Sequence, residues 1–265
     1  MRHQAMHAVS YYDLIDSSFF RLYNRNGSYI DTNVENVNVL LPYIEKNNSL
    51  VLYLTGYTYD INSENVKLIT DVYLNYTQDN VLALDYRNIT RADYLTAVYA
   101  INDLGKLVAD ALNSIVDKGL DPAGPLFYFL DSHLTSSDAK FIDIIHVDMA
   151  LKTGHVDFFP NYGHRPQPGC AIIAPFQIKK DICTHSRSFE FYAESVKNHT
   201  SLIAKCYSLN ECGGVEYIPM GYATPSNATG NYYLLTNAES PFGQGLLGAT
   251  FNPFLIIPIP KIDYF

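Results

Sequence analysis

The sequence predicts an α/β fold in which a mainly parallel sheet is flanked by helices. Three runs, Leu50–Leu54, Val81–Tyr86 and Phe141–Asp148, are rich in apolar residues at successive positions, as strands buried on both faces are. Segments with helical spacing of apolar residues separate these runs, and alternation of strands with helices is typical of parallel sheets. At 265 residues the chain is long enough for one sizeable core, and we expect a single domain over residues 1–265.

Turn signals bound the strands of the first half of the chain. Phe19–Tyr23 is a short β-rich run that ends before the turn dipeptide Asn26-Gly27. Leu50–Leu54 is a continuous apolar run that stops at Thr55-Gly56, and Val81–Tyr86 follows as a second buried strand. We therefore expect strand, helix and strand in this order around the segment between the two apolar runs.

Two amphipathic helices are predicted before residue 113, and a third is predicted late in the chain. Asn62 or Ser63 can cap the first helix, and the second begins near Arg91. Arg187–Val196 resumes a helical pattern after a loop-rich, proline-rich stretch that begins beyond Gly154. The apolar stripes of the first two helices are Val66, Ile69 and Tyr73, and then Val98, Ile101, Leu104, Val108 and Leu112.

Composition excludes several classes of partner. Charged residues make up 17% of the chain and hydrophobic residues 48%, which is typical of a packed globular protein. The net charge of −9 and the lack of Lys and Arg clusters argue against nucleic acid as a partner and disfavour an anionic membrane surface. No run of about 18 apolar residues is present, so we expect no transmembrane segment.

Cysteines and glycosylation signals point toward an exported protein. The four cysteines permit three pairings, and their spacing suits two local loops. Asn-x-Ser/Thr signals are more frequent than expected by chance, which points to a glycosylated, exported chain, and a merely Asn-rich sequence is the open alternative. Residues 1–7 lack an apolar h-region, so no signal peptide is readable there. The cysteines are Cys170, Cys183, Cys206 and Cys212, and the candidate glycosylation sites are Asn26, Asn47, Asn75, Asn88, Asn198 and Asn227.

Five segments cover residues 119–195 densely: Gly119–Pro125, Ser137–Asp148, Gly154–Asn161, Gln167–Cys170 and Cys183–Ser195. Together they resemble the pancreatic-lipase family, especially its insect lipases and phospholipases A, because they occur in the family's order and approximate spacing. Farther upstream, Thr55-Gly56-Tyr57 stands where the family commonly has His-Gly-aromatic. The resemblance implies an α/β-hydrolase-like fold, and we expect no C-terminal lipid-binding β-sandwich domain.

The resemblance assigns catalytic roles to three positions. Asp121, at the end of a predicted strand, would orient the imidazole of His185, which stands immediately before the last predicted helix and would act as the general base. The backbone N–H of Tyr57 would be one oxyanion-hole donor. In the family's calcium loop Asp138 matches, but residues 133–136 lack the expected Arg and second Asp, so we predict no metal. No cofactor is implied.

The resemblance also implies the disulfide pairs and the kind of substrate. Cys170 with Cys183 would close a short lid, Ala171–Ile182, of the length found among phospholipase-like members. Cys206 with Cys212 would close a second, smaller loop. The implied partner is a lipid or phospholipid ester at an interface.

The nucleophile of the family is missing from this chain. No Gly-x-Ser-x-Gly elbow occurs anywhere, and Asn113–Lys118 replaces the strand, elbow and helix that the family places before the acid. One strand with its crossover helix is on the order of 30 residues. The fold would therefore lack its central nucleophile strand and the following helix between Asn113 and Gly119. We expect the sheet to close the resulting gap of about 10 Å, which is two strand spacings.

Other candidate groups do not replace the lost serine. Ser114 lies nearest, but no glycine flanks it to permit the strained turn that exposes a nucleophile. His146 and His155 belong to segments of the family's strand and loop, and we interpret them as structural.

Three functional interpretations remain open at this point. In the first interpretation, the chain is a carboxylic-ester hydrolase of lipid catabolism whose sequence has lost the elbow and which is inactive as written. Alternatively, it is a non-catalytic lipase homologue that binds or stores lipid, comparable to insect yolk proteins. In the third, Asp121 and His185 are relics in a chain that does not fold stably. The first predicts a Gly-x-Ser-x-Gly block in the transcript, the second predicts lipid binding without reaction, and a cooperative melting transition excludes the third.

Overall fold

The structure is a computed structural model that describes residues 11–112, 117–120, 135–137, 139–148, 152–171 and 182–250. The strands in these segments are β1 (Phe19–Tyr23), β2 (Tyr29–Asn33), β3 (Leu50–Leu54), β4 (Asn80–Asp85), β5 (Asp117–Leu120), β6 (Ile142–Ile145), β7 (Val156–Pro160), β8 (Ile203–Cys206), β9 (Tyr217–Pro219) and β10 (Gly230–Leu234). The α-helices are α1 (Tyr11–Asp16), α2 (Glu64–Tyr76), α3 (Arg87–Thr90), α4 (Tyr94–Leu112), α5 (Ile182–Lys197) and α6 (Leu246–Ala249). Two 3₁₀ helices span Val34–Tyr43 and Asn161–Gly163.

The first sheet has the strand order β2-β1-β4-β3. β1 pairs antiparallel with β2 and with β4, whereas β3 pairs parallel with β4. The hairpin between β1 and β2 turns at Gly27, whose φ of 83° suits a residue without a Cβ. Next to it, the Asn26 side chain accepts a hydrogen bond from the N–H of Ser28 at 2.9 Å. The predicted strands at Phe19–Tyr23 and Leu50–Leu54 and the turn between β1 and β2 are thereby confirmed. The prediction that Leu50–Leu54 is buried on both faces is wrong, because β3 lies at the edge of its sheet and Leu54 is exposed.

The second sheet has the strand order β5-β6-β7-β10-β8-β9. Its first four strands are mutually parallel, and β8 and β9 continue it in the antiparallel sense. All residues of β6 and β7 are buried, which fits the apolar run predicted as a strand at Phe141–Asp148. The strand itself is shorter than that run and ends at Ile145, directly before His146.

The prediction of one mainly parallel sheet is wrong in two respects. Among the eight pairings between described strands, four are parallel and four antiparallel. Two of the antiparallel pairs, β1 with β2 and β8 with β9, join consecutive strands without a crossover helix between them. The described strands also form two sheets, with β3 and β5 each at an edge, so the expected closure of one sheet does not occur in them. With only four residues in β5, pairing with β3 would add few ladder hydrogen bonds, each of about 1 kcal/mol.

One buried apolar cluster extends across both sheets. It includes Ala83 of β4 and Phe158 of β7 together with residues of α2 and α5. Where these helices meet, the hydroxyls of Tyr73 and Tyr192 lie 2.6 Å apart. Burial raises the pKa of both phenols well above their ordinary value, so this hydrogen bond is between neutral groups. The two helices thus connect the cores of the two sheets.

The starts of the helices differ from the predicted ones for local reasons. α4 begins at Tyr94 and not at Arg91, because the carboxylate of Asp93 accepts the N–H of Thr96 at 3.0 Å and caps the first turn. α2 begins at Glu64 after Ser63, as predicted. Ala97, Ala100 and Leu104 of α4 belong to a second buried cluster with β1 and β4, and Ile101 and Val108 of the predicted stripe pack against it.

Candidate active site

His185 lies in the first turn of α5, not in a loop before the helix as predicted. Its ring is half-buried and meets the ring of Phe189 edge to face, with 5.3 Å between centroids. Its carbonyl accepts a hydrogen bond from Ser188 Oγ at 2.8 Å. The sequence pattern placed the helix start at Arg187, because residues 182–186 carry no apolar periodicity. The structure shows that contacts with neighbouring segments extend the helix through them.

Gln167 holds the segment before α5 in place. Its side chain is fully buried, and its amide nitrogen donates to the carbonyls of Pro160 at 3.1 Å and His164 at 3.0 Å. The backbone N–H of Gln167 donates to Thr184 Oγ1 at 3.3 Å, beside the disulfide of Cys183. These hydrogen bonds hold the start of α5, and with it the backbone of His185, at the carboxyl end of β7 in the second sheet.

The catalytic acid predicted at Asp121 lies outside the described residues. The strand that leads to it is described: β5 pairs parallel with β6 and ends at Leu120. The prediction that a strand directly precedes Asp121 is confirmed. The contact between Asp121 and His185 stays a prediction.

Tyr57 lies in the loop that follows β3, as predicted. Thr58 has a φ of 70°, and its N–H donates to the carbonyl of Thr90 at 3.0 Å. The hydroxyl of Tyr57 donates to the carbonyl of Ala92 at 3.1 Å, whereas its backbone N–H has no acceptor within the described part of the chain. The role of this N–H as an oxyanion donor stays a prediction. No hydrogen bond or ring contact between described residues joins Tyr57 to His185.

A second histidine and carboxylate pair occupies the interior of the second sheet. His146 Nε2 lies 2.6 Å from Asp157 Oδ1, both side chains are buried, and the imidazole stacks on Phe159 with 4.8 Å between centroids. His155 Nδ1 accepts the N–H of Ile142 at 3.1 Å. Both histidines bind other parts of the fold, in agreement with their structural interpretation. Sequence reasoning did not name Asp157 as the partner of His146, although both lie in family-like segments.

The disulfides have the pairing that the family resemblance implied. Cys170 binds Cys183 with a Cα–Cα distance of 5.7 Å, and Cys206 binds Cys212 with a Cα–Cα distance of 6.5 Å. Residues 172–181 of the predicted lid lie outside the described residues. All six candidate glycosylation asparagines, Asn26, Asn47, Asn75, Asn88, Asn198 and Asn227, are exposed.

Two general features of the described residues bear on cofactors and membranes. Within the described part, no three His, Cys, Asp or Glu side chains lie together in a way that could hold a metal ion. Asp138, the one match to the family's calcium loop, is outside that part. The helices in the described segments are too short or too polar to cross a bilayer.

The described parts agree with an α/β-hydrolase-like fold. Four parallel strands, β5-β6-β7-β10, lie next to one another, and α2 and α5 pack into the same buried cluster as β6, β7 and β10. Residues 116–242 match the family model described as Lipase. This match and the curated relatives support the pancreatic-lipase family, which the sequence resembles.

Similarity extends to lipases of insects and mammals. The chain is 33% identical to phospholipase A1 of Vespula squamosa over 156 residues, which cover 54% of this chain and 50% of that protein. It is 28% identical to pancreatic triacylglycerol lipase of Oryctolagus cuniculus over 227 residues, which cover 71% of this chain and 48% of the lipase. It is 39% identical to human pancreatic lipase-related protein 3 over 111 residues, 32% of this chain and 24% of that protein. The chain therefore spans half or less of the length of these relatives.

Proposed function

We propose that this chain is a lipase-family protein that binds lipid or phospholipid esters without hydrolysing them. One observation carries the proposal: α4 ends at Leu112 and β5 begins at Asp117. Residues 113–116 are too few for a strand, a nucleophile elbow and a helix, which together need on the order of 30 residues. Without a serine, acyl-enzyme chemistry has no acceptor.

The arrangement of the sheets supports the loss of a whole structural unit. β3 and β5 lie at the edges of two different sheets, at the positions that would flank a central strand. The residue after a nucleophile supplies the second oxyanion donor in this family, so that donor is lost together with the serine. A point substitution to serine would therefore not restore hydrolysis.

The groups that remain are suited to binding. The backbone N–H of Tyr57, which has no acceptor among the described residues, can donate to an ester carbonyl, and His185 with Asp121 can still form a dyad. The names of the relatives, phospholipase A1 and triacylglycerol lipase, support a lipid ester as the ligand. The two disulfides and the exposed sequons support an extracellular location, because disulfides persist in oxidising compartments.

A serine-reactive probe and a lipid-binding assay test the proposal together. The purified chain, after its cooperative melting transition is verified, is incubated with a fluorophosphonate probe and with phosphatidylcholine vesicles and triacylglycerol emulsions. We expect no labelling, no release of fatty acid, and co-flotation with at least one of the two lipid preparations. His185→Ala serves as the matched variant for any fatty-acid release.

Two results would overturn the proposal. Labelling by the probe, or fatty-acid release that His185→Ala abolishes, would show a working nucleophile. If the protein floats with neither lipid preparation, the lipid-binding part of the proposal is wrong. In parallel, sequencing of the cDNA across codons 105–125 decides whether a Gly-x-Ser-x-Gly block exists between Asn113 and Gly119. If this block exists, the natural protein is the hydrolase of the first functional interpretation.

A further inference from the structure

A groove lies beside the C-terminal end of α5, away from the candidate active site. Its volume is about 470 Å³, within the range of about 300–1,000 Å³ typical of small-molecule sites. Asn198 and Thr200 line one side, and Ser240 and Pro241 line another. Asn198 is also the first residue of a glycosylation signal, Asn198-His199-Thr200. The groove and the sequon therefore share two residues.

The walls of the groove are held by hydrogen bonds. The carboxylate of Glu194, which is only 9% exposed, accepts the N–H of Phe242 at 2.6 Å and that of Gly243 at 2.7 Å. On the opposite side, the carbonyl of Ser201 accepts the N–H of Gly245 at 2.7 Å. A Cβ at position 243 would lie 2.2 Å from the carbonyl oxygen of Ser201, so the loop packs closely on the turn that follows α5. The groove is therefore pre-formed.

The side chain of Asn198 is oriented by its own sequon. Its Oδ1 accepts the N–H of Thr200 at 3.1 Å and the hydroxyl of Thr200 at 3.0 Å. Its backbone is fixed as well, because its N–H donates to the carbonyl of Glu194 and its carbonyl accepts the N–H of Ser201. Nδ2, the atom that carries an N-linked glycan, has no acceptor among the described residues and belongs to an exposed side chain.

We propose that Asn198 carries an N-linked glycan whose first N-acetylglucosamine residue lies in this groove. The position of Asn198 identifies the sugar as the occupant of the groove. Because Asn198 lines the groove, a sugar attached to its Nδ2 starts at the groove's wall. Pro241 offers an apolar surface, and Lys197, Ser201 and Ser240 offer polar groups to hydroxyls and to the acetamido group. The sugar would contact both α5 and the 240–245 loop and stabilise their packing.

The modification needs a donor and an enzyme that the secretory pathway supplies. Nδ2 of Asn198 attacks C1 of an oligosaccharide linked to a lipid diphosphate. The bond between C1 and the diphosphate oxygen breaks, the lipid diphosphate leaves with the electron pair, and one Nδ2 proton passes to a base of the transferase. No oxidation or reduction occurs. This inference is independent of whether the chain hydrolyses esters.

Two sets of samples test the proposal. The chain is produced behind a heterologous secretion signal, in cells that make only high-mannose glycans, with Asn198→Gln and with Asn227→Gln as the matched control, since Asn227 is an exposed sequon that does not line the groove. Peptide mapping measures occupancy at each site. The folded wild-type protein is also trimmed with endoglycosidase H, which leaves one N-acetylglucosamine, or with peptide N-glycosidase F, which removes it and leaves Asp at position 198.

The expected result separates the first sugar from the rest of the glycan. Asn198 is occupied, trimming to one sugar leaves Tm unchanged, and complete removal or Asn198→Gln lowers Tm by about 2–4 °C. Amide exchange in residues 240–245 becomes faster in the same samples, whereas Asn227→Gln changes neither quantity. An unmodified Asn198 in the secreted protein overturns the proposal, as does an equal effect of the two Gln variants. If Asn198→Gln does not fold, the comparison of the two glycosidases on the folded wild type decides.

Discussion

His146 and Asp157 form a buried pair in which Nε2 of the imidazole lies 2.6 Å from Oδ1 of the carboxylate. The same oxygen also accepts the N–H of Thr153 at 3.2 Å and that of Gly154 at 3.4 Å. The carboxylate thus joins the residue after β6 to the turn before β7. The pair resembles two thirds of a catalytic triad, but its position in the core makes it a structural element.

Asp157→Ala should therefore destabilise the fold strongly. The substitution leaves Nε2 of His146 buried without a partner, and its Nδ1 already has none within the described residues. Leaving a buried polar group unsatisfied costs about 1–3 kcal/mol, so we expect a loss near 3 kcal/mol in the free energy of unfolding measured by urea denaturation. Asp71→Ala, at an exposed position of α2, should change it by less than about 0.5 kcal/mol. Equal effects of the two variants would contradict a structural role for the pair.

Glu194→Gln should loosen the loop that follows β10. The carboxylate accepts two backbone N–H groups with one oxygen each, and an amide offers only one acceptor oxygen. One buried N–H then loses its partner, and we expect a loss of about 1–3 kcal/mol in unfolding free energy and faster exchange of the amides at 242 and 243. The exposed Glu239→Gln is the control. Unchanged exchange at both amides would show that the loop does not depend on Glu194.

Removal of the smaller disulfide should cost about 2 kcal/mol. Cys206 and Cys212 are six residues apart, and the entropy of closing so short a loop in the unfolded chain corresponds to about that value. The double variant Cys206→Ser with Cys212→Ser should lower the free energy of unfolding accordingly. Cys170→Ser with Cys183→Ser, which opens a loop of 13 residues, should lower it by about 3 kcal/mol. A larger loss from the shorter loop would mean that buried serine hydroxyls, and not loop entropy, dominate.

Tyr86 should make stability fall at alkaline pH. Burial raises its pKa from the ordinary value of 10.0 to about 12, while its hydroxyl donates to the carbonyl of Thr55. Because the folded pKa lies above the unfolded one, the unfolded chain releases its proton first, so this stabilisation is complete below pH 10 and is lost between about pH 10 and 12. The loss is up to about 1.4 kcal/mol per pH unit for this group.

Ionisation of the tyrosine hydroxyls is followed by the tyrosinate absorbance, and the free energy of unfolding is measured by urea denaturation at pH 9, 10 and 11. Tyr86→Phe should show a shallower decline of stability over that interval than the wild type. Tyr29→Phe, which removes a more exposed hydroxyl, should leave the slope unchanged. A wild-type slope that persists in Tyr86→Phe would assign the alkaline loss to other tyrosines.

Local sequence patterns were sufficient to predict several secondary-structure elements, and the family resemblance implied both disulfides. The apolar run of β4 and the Asn-Gly turn were readable because burial on both faces and a positive φ each restrict residue type locally. The start of α5 was not readable, since residues 182–186 are held in the helix by Gln167 and the disulfide, which come from elsewhere in the chain. His185 therefore lies inside a helix that the sequence pattern started too late.

By itself, the sequence determined the family resemblance, the two disulfide pairs implied by it, and the absence of a Gly-x-Ser-x-Gly elbow, because these are properties of residue type and spacing. Only the tertiary structure decided that the described strands form two mixed sheets, and that Asp157 and not a solvent-facing group is the partner of His146. It also placed Asn198 at the wall of a pre-formed groove. Strand register, burial and the partners of buried polar groups depend on contacts between residues distant in the chain, and no local pattern encodes them.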